Sequence, residues 1–147
     1  MYSQQERQTG PRPADILIVD DHREITDMVA DALIDEGYRV RVAHDGLAAL
    51  REIRRHPPDL LLLDVAMPVM SGDQLLARLR REGGERPPVI LMTADRSPER
   101  FRALGAERIL RKPFDLAALL QAVAGCTARP RLPAGDGLRL QEREARL

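Results

Sequence analysis

The chain of 147 residues has the length of one domain, and its content of 44% hydrophobic and 31% charged residues is ordinary for a globular protein. Its 23 basic and 23 acidic residues cancel, so the net charge gives no support to binding of nucleic acid or of an anionic membrane. The single cysteine, Cys126, excludes an intrachain disulfide and a zinc site built on cysteines.

The first thirteen residues, MYSQQERQTGPRP, are polar, and they predict a disordered N-terminal lead rather than a secretory signal. No apolar run approaches the roughly eighteen residues that a membrane span requires, so we expect a cytoplasmic protein without membrane contact. The regular pattern that follows predicts a folded domain over residues 14–125.

Short apolar runs alternate with helical patterns along this domain. The predicted strands are ILIV (16–19), YRVRVAH (38–44), LLLL (60–63), VILM (89–92) and RIL (108–110). The predicted helices span residues 23–37, 45–56, 71–84, 97–105 and 114–125. This alternation predicts a doubly wound α/β domain, in which helices cover both faces of a parallel sheet.

Capping residues and helical spacing add detail to these helices. Asp45 and Ser71 are predicted to be N-caps, and Pro98 a first helical residue. Spacing also predicts the side chains that face the sheet. They are Ile25, Val29, Ala32 and Leu33 in the first helix, Leu47, Leu50 and Ile53 in the second, Leu75, Leu76 and Leu79 in the third, and Leu116, Leu119, Leu120 and Val123 in the last.

Residues 126–147 are predicted to form a linker-like tail, because prolines and glycines recur in the first part of this segment. Its last stretch, LRLQEREARL, has the composition of a short helix, although a helix of about ten residues is marginal alone in water. We expect no second folded domain after Cys126.

Polar and charged side chains follow four of the predicted strands. Asp20 and Asp21 follow the first strand, Asp64 the third, Thr93 the fourth and Lys112 the fifth. The carboxyl ends of parallel strands meet at one edge of a doubly wound sheet, where ligands bind. We therefore expect these five side chains to converge there, with Asp64 at the point where the sheet opens to solvent.

Three carboxylates in one place favour a bound cation, since two of them about 5 Å apart repel by roughly 3 kcal/mol at an effective dielectric near 20. Oxygen ligands suit a hard divalent ion such as Mg²⁺. Asp64, kept ionised by that metal and by Lys112, could attack phosphorus and form an aspartyl phosphate. Lys112 and the Thr93 hydroxyl would then contact the phosphoryl oxygens.

Four motifs occur here in the order and spacing of a known family. They are ILIVDD (16–21), LLLLDVAMP (60–68) with Gly72, VILMTA (89–94) and KPF (112–114). Over residues 14–125 the chain resembles the response-regulator receiver domains of two-component signalling, in particular the single-domain, chemotaxis-regulator-like members. The resemblance implies a five-stranded, (βα)5 flavodoxin-like receiver fold.

The resemblance also implies a phosphorelay function. Asp64 would accept a phosphoryl group from a sensor histidine kinase or a phosphotransfer protein, with Lys112 and Thr93 contacting that group. The bond between Lys112 and Pro113 would be cis, which aims the lysine. Phosphorylation would switch the binding of an unknown downstream protein, without direct binding to nucleic acid. Such a module catalyses its own phosphorylation and dephosphorylation but is not a conventional enzyme.

The same resemblance implies a Mg²⁺ site. Asp21, Asp64 and the backbone carbonyl of Ala66 would bind the ion, and Asp20 would act through water. His22 adjoins this acidic pair, and a metal role for it is imaginable, but a place in the exposed first turn of the helix is favoured.

The sequence departs from the family pattern in two places. Ile109 stands three residues before Lys112, where the family usually has a Tyr or Phe that acts as a rotamer switch. The stretch from Thr93 to Lys112 is also about one helical turn shorter than usual. These departures predict an atypical output surface and leave a phosphorylation-independent, receiver-like adaptor open as an alternative.

Other functions fit the pattern less well. A phosphohydrolase with an aspartyl-phosphate intermediate, like the haloacid-dehalogenase phosphatases, needs Asp-x-Asp on one strand, whereas Asp20 and Asp21 are adjacent. A Rossmann nucleotide-binding domain needs Gly-x-Gly-x-x-Gly after the first strand. A DNA-binding regulator needs a recognition-helix domain, which we do not expect after residue 126.

Overall fold

The computed structural model describes residues 12–84, 86–96 and 99–127. Strands within these ranges are β1 (Asp15–Val19), β2 (Arg39–Ala43), β3 (Leu60–Asp64), β4 (Val89–Thr93) and β5 (Arg108–Arg111). Helices are α1 (Arg23–Asp35), α2 (Gly46–Arg55), α3 (Gly72–Glu82), α4 (Glu99–Arg102) and α5 (Leu116–Thr127). Every predicted element is confirmed in type and order. Most of the predicted N-terminal lead and tail lies outside the described residues.

The strands form one parallel sheet in the order β2-β1-β3-β4-β5. The chain direction across the sheet therefore reverses at β1, so that β1 and β3 are neighbours. Val19 pairs with Leu63, and Thr93 pairs with Arg111 at the same edge. This register brings together the residues that follow β1 and β5 and the last residues of β3 and β4.

Two apolar clusters lie on opposite faces of the sheet. Leu61 and Leu63 pack with residues of α2 and α3, whereas Leu60 and Leu62 pack with residues of α1 and α5. Successive residues of a strand point to opposite faces, so a sheet covered on both sides requires apolar residues at every position. This arrangement explains the run of four leucines and confirms the doubly wound architecture.

Most of the predicted inward-facing residues are buried or partly buried, but two predictions are wrong. Leu47 is 49% exposed and Leu116 is 39% exposed. The buried face of α2 consists of Gly46, Ala49, Leu50 and Ile53, and Leu47 lies about 100° from Gly46 around the helix. Leu116 is the first residue of α5, which begins two residues later than predicted.

Both predicted N-caps are confirmed. The Asp45 carboxylate accepts a hydrogen bond from the Ala48 amide at 2.7 Å, and Ser71 forms a reciprocal capping box with Gln74. Helix α4 is a single turn, shorter than the predicted 97–105, while Ser97 and Pro98 lie outside the described residues. In the described part of the chain, none of the helices is both long enough and apolar enough to cross a membrane.

Candidate functional site

Two carboxylates are buried where β1 and β3 end. Asp64 is the last residue of β3 and Asp20 directly follows β1; their exposed fractions are 2% and 0%. The Asp64 side chain is itself buried at this edge, and the next amide, that of Val65, still donates to Met92 O at 3.0 Å in the neighbouring strand. The site therefore contains anions that water solvates poorly.

Lys112 bridges these carboxylates. Its Nζ lies 3.1 Å from Asp64 Oδ1 and 3.3 Å from Asp20 Oδ2. The Lys112 amide donates to Thr93 O at 2.7 Å, which ties this residue to the end of β4. The bond between Lys112 and Pro113 is cis, as the resemblance implied. One ammonium thus faces two carboxylates, and negative charge remains at this edge of the sheet.

Asp21 and His22 complete the acidic side of the site. His22 precedes α1 as its N-cap and has an exposed side chain, as predicted. However, its Nδ1 lies 2.9 Å from Asp20 Oδ1 and 3.2 Å from Asp21 Oδ1. The sequence did not indicate this double contact; the only signal was that His22 occupies the tight turn directly after the acidic pair.

The surroundings shift the pKa values of these groups in opposite directions. Burial raises the pKa of Asp64, and the nearby charge of Asp20 raises it further, against the influence of Lys112. Burial also acts to raise the pKa of Asp20, but hydrogen bonds from His22 and the charge of Lys112 outweigh it and lower that pKa. Burial acts to lower the pKa of Lys112, yet both carboxylates together raise it. Asp64 is therefore the carboxylate whose ionised form would benefit most from a further cation.

The donor atoms fit such a cation. Among the described residues, Asp64 Oδ2 and Asp21 Oδ1 are the buried side-chain oxygens or nitrogens without a hydrogen-bond partner, although Asp21 Oδ1 makes the ionic contact with His22. One ligand atom from each of Asp20, Asp21, His22 and Asp64 can be chosen so that all four lie within 4.8 Å of one another. Buried polar atoms are nearly always satisfied in proteins, so an unsatisfied carboxylate oxygen in this cluster supports a metal ligand.

Thr93 lies at the same edge and is 4% exposed. Its hydroxyl accepts a hydrogen bond from the Asp95 amide at 3.0 Å. The structure thus brings Thr93 to the predicted edge, with its hydroxyl facing the loop after β4.

The loop after β3 is closely packed beneath Asp64. A Cβ atom on Gly72 would lie 2.3 Å from the backbone carbonyl oxygen of Asp64, which explains why only glycine fits there. Ala66 is an exposed residue of this loop, two positions after Asp64. Farther along, Val69 has a φ of 68° and a 90% exposed side chain, a costly conformation for a β-branched residue.

Ile109 packs against the hydrophobic core and is partly buried. It pairs with Leu91 in the sheet, and the apolar cluster that it contacts contains Phe101. The position that the family usually fills with an aromatic switch is thus filled by an aliphatic side chain that packs against the core.

Known proteins are similar to this chain in both sequence and fold. A family model described as the response regulator receiver domain matches residues 16–124. Response regulator MprA of Mycobacterium ulcerans (strain Agy99) is 39% identical over 119 residues, which are 80% of this chain and 51% of that protein. MprA of Mycobacterium avium (strain 104) is 41% identical over 107 residues, covering 71% of this chain and 47% of the relative. The chain thus spans about half the length of these relatives.

Solved structures match over a similar part of the chain. Chemotaxis response regulator CheY4 of Vibrio cholerae is 34% identical with a TM-score of 0.72, covering 78% of this chain and 99% of CheY4. The receiver domain of Francisella response regulator 1452 is 29% identical with a TM-score of 0.75, covering 80% of this chain and 99% of that domain.

Proposed function

Because the chain belongs to the family of response-regulator receiver domains, we propose that Asp64 is the phosphoacceptor of a two-component phosphorelay. The observation that carries this proposal is the state of the Asp64 carboxylate. It is buried, one oxygen pairs with Lys112 at 3.1 Å, and the other oxygen has no hydrogen-bond partner. A structural carboxylate would have both oxygens satisfied.

The proposed reaction transfers a phosphoryl group from a phosphohistidine of a sensor histidine kinase or a phosphotransfer protein. An Asp64 oxygen forms a bond to phosphorus, and the bond between phosphorus and the histidine nitrogen breaks, with the electron pair staying on nitrogen. Lys112, already 3.1 Å from Asp64, is in place to neutralise charge on the phosphoryl oxygens. Thr93 would donate its hydroxyl hydrogen to one of those oxygens, since its hydroxyl oxygen is the acceptor in the contact with the Asp95 amide.

We assign the cation site to Mg²⁺, held by Asp21, Asp64 and the Ala66 carbonyl, with Asp20 acting through water. The donors are oxygens, which suit this ion, and the unpartnered Asp64 oxygen supports the assignment. When bound, Mg²⁺ supplies positive charge that stabilises the oxygens of a transferring phosphoryl group.

The switched output is the binding of a downstream protein. The module is proposed to catalyse only its own phosphorylation and dephosphorylation, to act in the cytoplasm, and to bind no nucleic acid directly. Ile109 supports an output route that does not use the usual aromatic rotamer, because its side chain packs against the core.

The test is phosphorylation by acetyl phosphate with and without Mg²⁺, followed by intact-protein mass spectrometry. We expect a Mg²⁺-dependent mass gain of one phosphoryl group, which Asp64→Asn abolishes. Asp31→Asn is the matched control, because Asp31 is an exposed aspartate of α1 outside the site. An Asp64→Asn protein that still gains the phosphoryl group would refute the assignment.

The same assay separates the alternatives. If the wild-type protein remains unmodified, the phosphorylation-independent adaptor becomes the better interpretation, and partner binding should then be insensitive to Asp64→Asn. Sustained turnover of a phosphomonoester would instead indicate a phosphohydrolase.

A further inference from the structure

We propose that His22 is a nitrogen ligand of the cation site, and that it makes the site bind transition-metal ions such as Ni²⁺ and Co²⁺ more tightly than its oxygens alone would. This inference rests on the proposed function, because it uses the same carboxylates. It adds a ligand that the resemblance did not supply and a class of ion that competes with Mg²⁺.

The ring nitrogen already stands at ligand distances from its neighbours. His22 Nδ1 lies 2.9 Å from Asp20 Oδ1 and 3.2 Å from Asp21 Oδ1. Adjacent ligands of an octahedral ion with metal–ligand distances of about 2.1 Å are separated by about 3.0 Å. With Asp20 as a direct ligand of the transition-metal ion, rather than acting through water as proposed for Mg²⁺, the three atoms have two of the separations that one face of such a coordination shell requires.

Asp64 provides an independent indication of a ligand. Its side chain is 3% exposed, and its Oδ2 has no hydrogen-bond partner. The four ligand atoms of Asp20, Asp21, His22 and Asp64 lie within 4.8 Å of one another, and opposite ligands of such an ion would be separated by about 4.2 Å. The spread is slightly wider than that separation, so a small shift of the exposed imidazole would let one ion contact the carboxylates and the imidazole together.

Binding a metal would cost His22 one contact, the hydrogen bond that its Nδ1 donates to Asp20 Oδ1, and the proton of that bond would be released to solvent. His22 occupies the N-cap position of α1, but its side chain caps no backbone amide of the helix. Its side chain is 59% exposed, so the ring can adjust without disturbing the core, and an ion can reach it from solvent. The backbone amide of His22 donates to Asp20 Oδ1 at 3.0 Å, a contact that a substitution of the side chain would preserve.

The nitrogen donor of His22 predicts which ions bind more tightly to the site. Imidazole suits Co²⁺, Ni²⁺ and Zn²⁺, whereas Mg²⁺ prefers oxygen and keeps several of its waters. Any oxygen site already binds Ni²⁺ more tightly than Mg²⁺, so the preference of the wild-type protein alone is not informative. The informative quantity is how differently the loss of His22 changes the two affinities.

The experiment is titration calorimetry of the full chain with MgCl₂ and with NiCl₂ for the wild-type protein, His22→Ala and His56→Ala. His56 is the matched control, because it is an exposed histidine that contacts Asp15 rather than the cation site. We expect His22→Ala to weaken Ni²⁺ binding at least about tenfold more than it weakens Mg²⁺ binding. His56→Ala should leave the affinities for Ni²⁺ and for Mg²⁺ unchanged. The ligand-field absorption of bound Co²⁺ should move to longer wavelength in His22→Ala, because an oxygen then replaces the nitrogen.

The outcomes separate this inference from the proposed function. If Mg²⁺ binds and Asp64 is phosphorylated, but His22→Ala changes Ni²⁺ and Mg²⁺ binding equally or not at all, the inference about His22 is overturned alone. If the wild-type protein binds neither ion and acetyl phosphate leaves Asp64 unmodified, the proposed function fails and the inference fails with it. Asp21→Asn should weaken the binding of both Mg²⁺ and Ni²⁺, which would confirm that the two ions share one site.

Discussion

Two buried aspartates lie at opposite ends of the sheet, and their surroundings differ. Asp15 begins β1 and is 5% exposed, while Asp64 ends β3 and is 2% exposed. Asp15 Oδ1 accepts a hydrogen bond from Arg41 Nε at 3.0 Å, and its Oδ2 lies 3.5 Å from His56 Nε2. Asp64 Oδ1 has Lys112 at 3.1 Å, but Asp64 Oδ2 has no hydrogen-bond partner.

The partner of Asp15 is itself held in place. Arg41 also donates to Glu52 Oε2 at 3.0 Å and to the His56 carbonyl at 2.8 Å, which links β2 to α2. This end of the sheet contains a closed network, whereas the other end contains one ammonium for two buried carboxylates. Burial is therefore common to the two carboxylates, and an oxygen without a hydrogen-bond partner is what distinguishes Asp64 and supports its proposed role.

The largest expected effect separates the two aspartates by function. Asp64→Asn should abolish phosphorylation by acetyl phosphate, because the amide is not a nucleophile toward phosphorus. Asp15→Asn should retain phosphorylation at a temperature where the variant is folded. Mass spectrometry after equal incubation checks both, and loss of phosphorylation in folded Asp15→Asn would break the distinction.

Stability should show the reverse order. Asp15→Ala removes the buried carboxylate of the Arg41 side chain, which is 20% exposed and keeps Glu52 as a partner, and should lower the free energy of unfolding by about 2 kcal/mol. Asp64→Asn should leave the stability unchanged or raise it, because it removes an anion with an unsatisfied oxygen. Urea unfolding in the presence of EDTA measures both; an Asp64→Asn protein less stable than Asp15→Ala would contradict the comparison.

The packing beneath Asp64 gives the next effect. Gly72→Ala should destabilise the protein by about 2 kcal/mol, because the new Cβ meets a backbone oxygen that cannot move freely. Gly46→Ala is the matched control. Its Cβ would lie 2.8 Å from Met70 Cβ and 2.9 Å from Met70 Cγ and Sδ, so it would meet side-chain atoms at a longer distance than the 2.3 Å to a backbone oxygen at Gly72. Thermal unfolding of the two variants should therefore show a larger drop in Tm for Gly72→Ala.

The smallest expected effect concerns pH. The pKa of Asp64 is raised above its ordinary value of 3.8, so ionising this carboxylate costs more in the folded protein than in the unfolded chain. The stability of the wild-type protein relative to Asp64→Asn should therefore fall as pH rises from the ordinary pKa of 3.8 through the raised pKa of Asp64. Below pH 3.8 this dependence on pH should vanish. Urea titrations from acid to neutral pH in EDTA test the sign. At neutral pH, saturating Mg²⁺ should narrow the stability difference between the wild-type protein and Asp64→Asn. A cation that binds only the folded state stabilises that state.

Local patterns predicted much of this molecule because they report local physics. Wholly apolar runs indicated buried strands, and the caps Asp45 and Ser71 indicated where α2 and α3 begin. The placement of Asp20, Asp64 and Lys112 after strands indicated a shared edge, because parallel strands bring their carboxyl ends together. Leu47 and Leu116 were assigned wrongly, since helical spacing specifies a face but not where the sheet beneath that face ends.

The amino-acid sequence by itself therefore determined the order of strands and helices, the doubly wound class and the set of residues at the carboxyl edge. Only the tertiary structure decided that Lys112, 92 positions after Asp20, pairs with it, that His22 contacts both acidic neighbours, and that Asp15 is satisfied while Asp64 is not. The physical reason is the distance along the chain over which each kind of interaction acts. Apolar periodicity and capping act over a few residues, whereas the solvation and pairing of a buried charge depend on groups that meet only after the chain has folded.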